Sequence, residues 1–173
     1  MSTPNNLDTL NAVQFKFEIL RIPHVSFFMQ TAMVPGIDMD SPIRETPRRN
    51  TPVTGSKLTF DPMIITFIVD EDLKNYFEIY RWMQQIIRTD DEISNKSDGS
   101  LHILNGQYNK KATVRFVNIF PTSLTELSFG TNDTDSITSV ATVTFNYDYF
   151  DFPNISFSMG NDDLTKNNLD LKT

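Results

Sequence analysis

The side chains that could carry chemistry are few in this sequence. There are two histidines, His24 and His102, and no cysteine, so a metal site would need both histidines together with a carboxylate. No Gly-x-Ser-x-Gly nucleophile elbow occurs, and Gly55-Ser56-Lys57 lacks the first glycine and the following helix of a phosphate-binding loop. Asp38-Met39-Asp40 and Asp133-Thr134-Asp135 lack the glycine and the distal glutamate of a calcium loop. We therefore expect no catalytic residues, no metal and no cofactor, and the sequence is not typical of an enzyme.

Length, composition and charge narrow the class of protein. A chain of 173 residues suits one domain with its own core, and 14 Phe, 5 Tyr and 1 Trp suit sheets and interfaces more than a helical bundle. The lack of cysteine fits folding in a reducing cytoplasm. The polar start, residues 1–11, has no apolar core of a secretory signal, and no apolar run has the length of a membrane span. A formal charge of −7 argues against a protein that binds nucleic acid through its phosphates. It is compatible with a surface that nucleic acid passes without binding, because a surface of like charge repels phosphate.

The strongest local pattern is the apolar-polar alternation over residues 137–152. Every second residue is apolar at Ala141, Val143, Phe145, Tyr147 and Tyr149, and the residues between them are Thr142, Thr144, Asn146 and Asp148. Because successive side chains of a strand point to opposite faces, this predicts one long strand with a buried apolar face and a hydrated polar face. The polar face could be exposed to bulk water or could line an aqueous channel.

Four further segments have the alternation and turn signals of strands: residues 13–21, 25–34, 57–69 and 112–120. We expect the second to return beside the first after a turn at Pro23-His24. We expect a break in the third at Asp61-Pro62, since proline cannot donate to a ladder. Asn105-Gly106 predicts a tight turn, and Phe120-Pro121-Thr122-Ser123-Leu124 predicts a turn before the last strand.

One amphipathic helix is predicted over residues 72–88. Asp70-Glu71-Asp72 would supply its N-cap and an acidic first turn. The apolar stripe consists of Tyr76, Ile79, Tyr80, Met83 and Ile87. The opposite, polar stripe consists of Lys74, Glu78, Arg81, Gln85 and Arg88. The pattern predicts a helix that lies on a sheet, and the mixed charges of the polar stripe argue against membrane binding.

The segment 38–56 is the least core-like part of the interior. It contains three prolines and three arginines, and residues 41–57 carry four positive charges against one negative, a net +3 against −10 for the rest of the chain. A basic loop should therefore project from an acidic body. Such a loop is either a mobile solvated segment or a functional one.

The order of these features resembles the tail tube proteins of contractile-tailed bacteriophages. The resemblance covers roughly residues 13–152. In chain order, a strand pair ends at Val34-Pro35-Gly36-Ile37, and a charged extended loop and strands around Phe60 and Phe67 follow it. An acidic turn then leads into a helix that contains Trp82. The last two features are Phe120-Pro121-Thr122-Ser123-Leu124-Thr125-Glu126-Leu127 and a strand ending in Tyr147-Asp148-Tyr149-Phe150. The Phe-Pro turn with its following Leu-x-x-Leu is the most specific of these.

The resemblance implies a mainly β fold with one flanking α-helix, a β-sandwich or roll that contributes strands to an intersubunit β-barrel. Hexameric rings would stack into a hollow tube for genome delivery, in the virion tail, after assembly in the host bacterial cytoplasm. The implied partners are other copies, the tail sheath protein, the baseplate hub or tube initiator, and the tail terminator, with DNA passing through the lumen without specific binding.

Three surfaces receive roles from this resemblance. The lumen-facing residues would be Thr142, Thr144, Asn146 and Asp148, with Asp148 repelling phosphate. The residues in contact with an adjacent ring would be Arg44, Arg48 and Arg49. The residues facing the sheath would be Lys74, Glu78, Arg81 and Arg88.

The resemblance also divides the chain and leaves alternatives open. We expect an N-terminal arm over residues 1–12, the tube-like domain over 13–152 with an inter-ring loop at 38–56, and a polar tail over 153–173. The tail either frays or binds a neighbour through Ile155, Phe157 and Met159. It departs from a compact ending and favours, as the alternative, a baseplate tube initiator or a tail-end tube-like protein. Two further alternatives are a tube protein of a secretion or injection machine, and a stand-alone β-sandwich that binds a small ligand or acts as an enzyme.

Overall fold

Two antiparallel sheets that share one long strand form the body of the fold in a computed structural model, which describes residues 14–89, 95–129 and 138–154. In chain order the elements are β1 (Phe15–Ile19), α1 (Pro23–Phe27), β2 (Met29–Ala32), β3 (Ile37–Met39), β4 (Ile43–Thr46), β5 (Arg49–Pro52), β6 (Leu58–Phe60), β7 (Met63–Ile68), α2 (Lys74–Arg88), β8 (Ser97–Leu104), β9 (Lys110–Leu124), β10 (Val140–Asn146) and β11 (Tyr149–Asp151).

The shared strand is β9. Sheet A has the order β1-β8-β9-β11 and sheet B has the order β2-β7-β10-β9, with every pairing antiparallel. Asn118 has a φ of 57°, and asparagine tolerates this left-handed conformation better than most residues. The first part of β9 pairs with β8 and β11, whereas its end, from Phe120 onward, pairs with β10. A mainly β sandwich or roll with a flanking helix is therefore confirmed.

The core is one continuous apolar cluster between the two sheets and the helices. Alternate residues of the strands point inward and are buried: Phe17, Ile19, Leu101, Val114, Phe116 and Ile119 from sheet A, and Met63, Ile65, Phe67, Ala141, Val143 and Phe145 from sheet B. Trp82 of α2 packs beside Phe145, with ring centroids 6.1 Å apart, and its indole N–H donates to the carbonyl of Asn95 at 2.7 Å. The helix therefore closes the sandwich.

The predicted strand over residues 25–34 is wrong in its first half. Pro23 begins a short helix, as proline suits the first helical turn, and this helix lets Ile22 and Val25 enter the core. The strand that follows, β2, pairs with β7 and not with β1. The two predicted neighbours consequently belong to different sheets, joined by α1 at one flank of the sandwich.

Helix α2 lies where it was predicted, but its N-terminus and inward face differ. Leu73, with a φ of 57°, precedes the helix, and the start has no side-chain cap. Two residues of the predicted apolar stripe, Tyr80 and Ile87, are exposed, whereas Asn75 and Trp82 are buried. The inward face of the helix is thus centred on Asn75, Ile79 and Trp82.

The predicted last strand is divided at residues 147 and 148. The alternation holds in β10, where Ala141, Val143 and Phe145 are buried. It then changes phase, because the chain passes from sheet B to sheet A, so that Tyr149 is exposed and Phe150 is buried. The predicted turn at residues 120–124 is strand β9, where the register shifts around Pro121.

Three predictions fall wholly or mainly outside the described residues: the N-terminal segment 1–12, the tail over 153–173 and the acidic triplet Asp133-Thr134-Asp135. Among the residues that are described, no helix is long and apolar enough to cross a membrane.

Candidate functional site

The outward face of sheet B is lined by small hydroxyl side chains. Thr31, Thr66 and Thr142 lie in one cross-strand row, and Thr66 and Thr142 are hydrogen-bonded through their hydroxyls at 3.3 Å. In the next row Thr144 is paired with Ile64 and with Ser123. We call this surface the threonine face, made of Thr31, Ile64, Thr66, Ser123, Thr142, Thr144 and Asn146. It contains no charged side chain, so it offers hydrogen bonds without attracting or repelling phosphate strongly.

Asp148 stands apart from the other predicted lumenal residues. Thr142, Thr144 and Asn146 alternate on β10, whereas Asp148 lies beyond its end, in the link to β11. Its carboxylate accepts from the side-chain amide of Asn118 and lies 3.6 Å from Nζ of Lys96. The Lys96 charge offsets the field of this carboxylate, which weakens its predicted role in repelling phosphate.

Both outer strands of sheet B have an unpaired edge within the described part of the chain. β2 is bonded to β7 on one side only, and the end of β9, Phe120 to Leu124, is bonded to β10 on one side only. Exposed backbone donors and acceptors on an edge strand form a ready template for pairing with another strand. The two free edges lie on opposite flanks of the same sheet, so identical copies could join them head to tail.

The segment 38–56, predicted as a basic extended loop, contains paired strands. β3 pairs with β6 to form a stem, and β4 pairs with β5 through a two-residue turn at Pro47-Arg48. We call residues 37–60 the arm. At its stem a side chain on Gly55 would collide with the carbonyl oxygen of Asp40, only 1.5 Å from the position of a Cβ. Only glycine lets the two stem segments approach this closely.

The surface of the arm is both basic and apolar. Arg48 and Arg49 lie at the hairpin tip and Arg44 lies two residue pairs behind it, all three exposed. Five apolar side chains of the arm are also exposed: Ile37, Met39, Ile43, Val53 and Leu58. The arginines were found from the sequence, but the exposed apolar side chains were missed, because the segment was predicted as a basic loop. Met39 and Leu58 are cross-strand partners, so at least these two exposed side chains are neighbours, and grouped exposed apolar side chains are typical of an interaction site.

The predicted sheath-facing residues do not all point outward. Lys74, Arg81 and Arg88 are exposed, and Lys74 pairs with Asp72 at 2.5 Å. Glu78 is less exposed and is bound to the ring nitrogen Nδ1 of His24 on α1, which fastens the two helices together. The outward helix surface also carries three exposed apolar side chains: Phe77, Tyr80 and Ile87.

The two histidines have different partners. His102 lies on sheet A, where Nδ1 is 3.1 Å from the hydroxyl of Thr113 and Nε2 is 3.1 Å from the ammonium of Lys110. Burial, followed by the charge of Lys110, lowers the pKa of His102, so its neutral form can accept from Lys110. His24 instead binds Glu78. Across the described ranges, no group of three or more histidine, aspartate or glutamate side chains is arranged to hold a metal ion.

Tyr147 anchors the link between the sheets. Its hydroxyl donates to the backbone carbonyl of Asp61 at 2.6 Å. Burial, and secondarily the charge of Asp61, raises the pKa of Tyr147 to about 12. The ring also contacts Phe116 at a centroid distance of 5.1 Å. These contacts give Tyr147 a packing role at the point where the chain changes sheets.

Solved structures with the same fold belong to contractile injection systems. The tube-terminating cap of the anti-feeding prophage superposes with a TM-score of 0.66 at 18% identity, covering 87% of this chain and 95% of the cap protein. A chain of the sheath–tube complex of the extracellular contractile injection system PVC superposes with a TM-score of 0.63 at 17% identity, covering 87% and 98%. A chain of the PVC sheath/tube terminator gives 0.63 at 17%, covering 84% and 96%. The tube-like fold is therefore shown.

A sequence relative narrows the resemblance. The tail tube terminator protein of Enterobacteria phage T4 is 29% identical over 102 residues, which are 56% of this chain and 58% of the relative. The match thus spans less than two thirds of the relative's length. No protein-family model matches the chain. The similarity supports a tube-terminator-like protein, the tail-end alternative of the sequence analysis, more than a main tube subunit.

Proposed function

We propose that this chain is a tube terminator of a contractile phage tail, a ring that closes the end of the tail tube. The similarity to the T4 terminator and the shared fold with the anti-feeding prophage cap support this role. The role is structural and involves no catalytic step. The protein would be part of the virion tail, assembled in the host cytoplasm, with the tube and the sheath as partners.

One observation supports the ring: among the strands that the structure describes, sheet B is open at both edges. If β2 of one copy pairs with the end of β9 in the next, each copy uses two different strand edges, and the contact is heterologous. A head-to-tail contact of this kind closes into a ring when the rotation permits. Closure removes the exposed strand edges and produces an intersubunit barrel. We propose six copies, as in the tube proteins that the chain resembles.

The threonine face would line the bore of this ring. Its uncharged hydroxyls bind water and give passing DNA no phosphate-binding site, in agreement with passage without specific binding. The exposed apolar side chains of the arm would then be covered by a neighbouring copy or by the adjacent ring, with the arginines at the tip facing acidic surface. The exposed side of α2 would face the sheath.

A second candidate is the main tube subunit, which the match to the PVC sheath–tube complex favours. The two roles differ in whether rings stack and in how many copies a tail contains. Electron microscopy of the purified protein at high concentration should show single hollow rings for a terminator and long hollow tubes for a main subunit. Quantitative mass spectrometry of virions should find the chain at the level of one ring per tail. A protein that stays monomeric at high concentration, with a closed sheet B, would contradict both roles.

A further inference from the structure

A groove runs along the free edge of β1, on sheet A. Within the described residues β1 is bonded only to β8, and its other side faces α1 and the beginning of β2 across a cavity of about 590 Å³. The groove is lined by backbone and by mainly apolar side chains, among them Phe15, Phe17, Pro23 and Met29. Leu20 at its end is 91% exposed. An edge strand beside apolar pockets is the arrangement that accepts an added strand.

The chain itself contains a segment with the matching pattern. Residues 155–159 read Ile-Ser-Phe-Ser-Met, with an apolar side chain at every second position and no charge. A strand of this sequence would place Ile155, Phe157 and Met159 on one face and both serines on the other. The segment follows Asn154 directly, where the described part of the chain ends.

We propose that residues 155–159 of one copy add as a strand to the β1 edge of the next copy. The apolar side chains would enter the groove, and the serines would lie on the outer face with Lys16 and Glu18. This inference rests on the head-to-tail ring proposed above. It gives the C-terminal tail a role as a clasp between neighbours that is separate from the pairing of the two sheet B edges.

The position of Asn154 favours a neighbour over the same copy. Its side-chain amide donates to the hydroxyl of Thr113 at 3.3 Å, and Thr113 is aligned with His102 and then with Lys16 across sheet A. A new strand beside β1 would lie three strand spacings from Thr113, roughly 14 Å. An extended chain covers at most ~3.6 Å per residue, so residues 155–157 of the same copy fall short of that edge.

The flanks of the molecule agree with this arrangement. β1 and β2 lie on the flank that α1 joins, whereas the end of β9, β11 and Asn154 belong to the other side of the two sheets. A ring that brings β2 of one copy to β9 of the next also brings the β1 groove to the neighbour's tail. The same contact therefore serves the sheet edges and the clasp.

Disulfide trapping tests the clasp directly, because the natural chain has no cysteine. Single variants Glu18→Cys and Ser158→Cys are prepared separately, mixed under ring-forming conditions and oxidised. The proposal predicts a disulfide between the two variants, and a ladder of covalent oligomers when one chain carries both changes. Lys111→Cys on β9, away from the β1 edge, is the control partner for Ser158→Cys and should not be trapped.

Charge substitutions in the tail provide a matched pair. Phe157→Asp should reduce the trapped fraction at least about tenfold, equivalent to ~1.4 kcal/mol, because the groove would have to bury a carboxylate. Ser158→Asp adds the same charge on the outer face and should leave trapping within about twofold. Equal effects of the two substitutions would overturn the assigned orientation of the strand.

The clasp and the ring can fail separately. If rings form but Glu18→Cys and Ser158→Cys are not joined, or are joined only within a single chain carrying both, the clasp is wrong and the proposed function stands. If the wild-type protein forms no rings, the ring proposal fails, and the clasp that depends on it fails too. A truncation after Asn154 that assembles rings as stable as those of the full chain would likewise exclude the clasp.

Discussion

Replacing Asn75 by alanine should destabilise the fold more than any other single amide-to-alanine change on α2. Asn75 is fully buried, and its Nδ2 donates to the carbonyl of Ile68 at 2.8 Å. Its Oδ1 accepts from the backbone N–H groups of Asp70, at 3.2 Å, and Tyr76, at 2.8 Å. This one side chain thus joins the end of β7 to the uncapped start of the helix.

The magnitude follows from the groups that lose partners. The carbonyl of Ile68 and the N–H of Asp70, both half-buried, would each cost ~1–3 kcal/mol when unsatisfied. The better helix propensity of alanine would return about 0.6 kcal/mol. We expect a net loss of about 3 kcal/mol in the free energy of unfolding, which corresponds to a decrease in Tm of roughly 6–12 °C for a chain of this size.

The assay can use the single tryptophan of the chain. Trp82 lies on the same helix, 2% exposed, and its emission should report the release of α2 from the sheets. Chemical unfolding followed by this emission and by circular dichroism should shift together, with an unchanged m value. The exposed Asn50→Ala on the arm is the control and should change stability by less than ~0.5 kcal/mol. A loss at Asn75 no larger than that of the control would refute the reasoning.

Two further predictions concern the arm and the sheet junction. Replacing Arg44, Arg48 and Arg49 together by alanine should weaken ring–ring or ring–tube association in sedimentation, with the largest difference at low salt, and a salt-independent effect would contradict an electrostatic tip. Tyr147→Phe should cost ~1 kcal/mol at neutral pH through the lost hydrogen bond to Asp61. Because the folded pKa of Tyr147 is raised to about 12, its contribution is complete below pH 10 and is lost as the pH rises toward 12, so unfolding curves of wild type and variant should converge over that window. Constant separation across it would count against the buried phenol.

The sequence was most informative where a pattern is local. The alternation of Ala141, Val143 and Phe145 predicts their burial, since strand geometry alone decides it. The exposure of Tyr149 and burial of Phe150 could not be read from the same pattern, because they depend on where the chain leaves sheet B for sheet A. A change of sheet is a tertiary event and leaves no periodic signal.

The candidate site shows the same division. Thr142 and Thr144 follow from alternation in one strand, whereas Thr31 and Thr66 join them only through pairing across strands. Thr66 interrupts an apolar run, which was the one local sign of it. The open edges of β2 and β9 could not be inferred, because strand order is set by packing around the core and not by any single segment.

The separateness of the arm has a consequence for how such proteins diversify. Its strands pair only with one another among the described residues, and Gly55 permits the close approach of the two stem segments at Asp40. Changes in length or composition between Asp40 and Gly55 should therefore leave the packing of the sandwich unchanged. If the arm contacts an adjacent ring, as proposed above, substitutions in this short ribbon would change that contact while the scaffold beneath it stays constant.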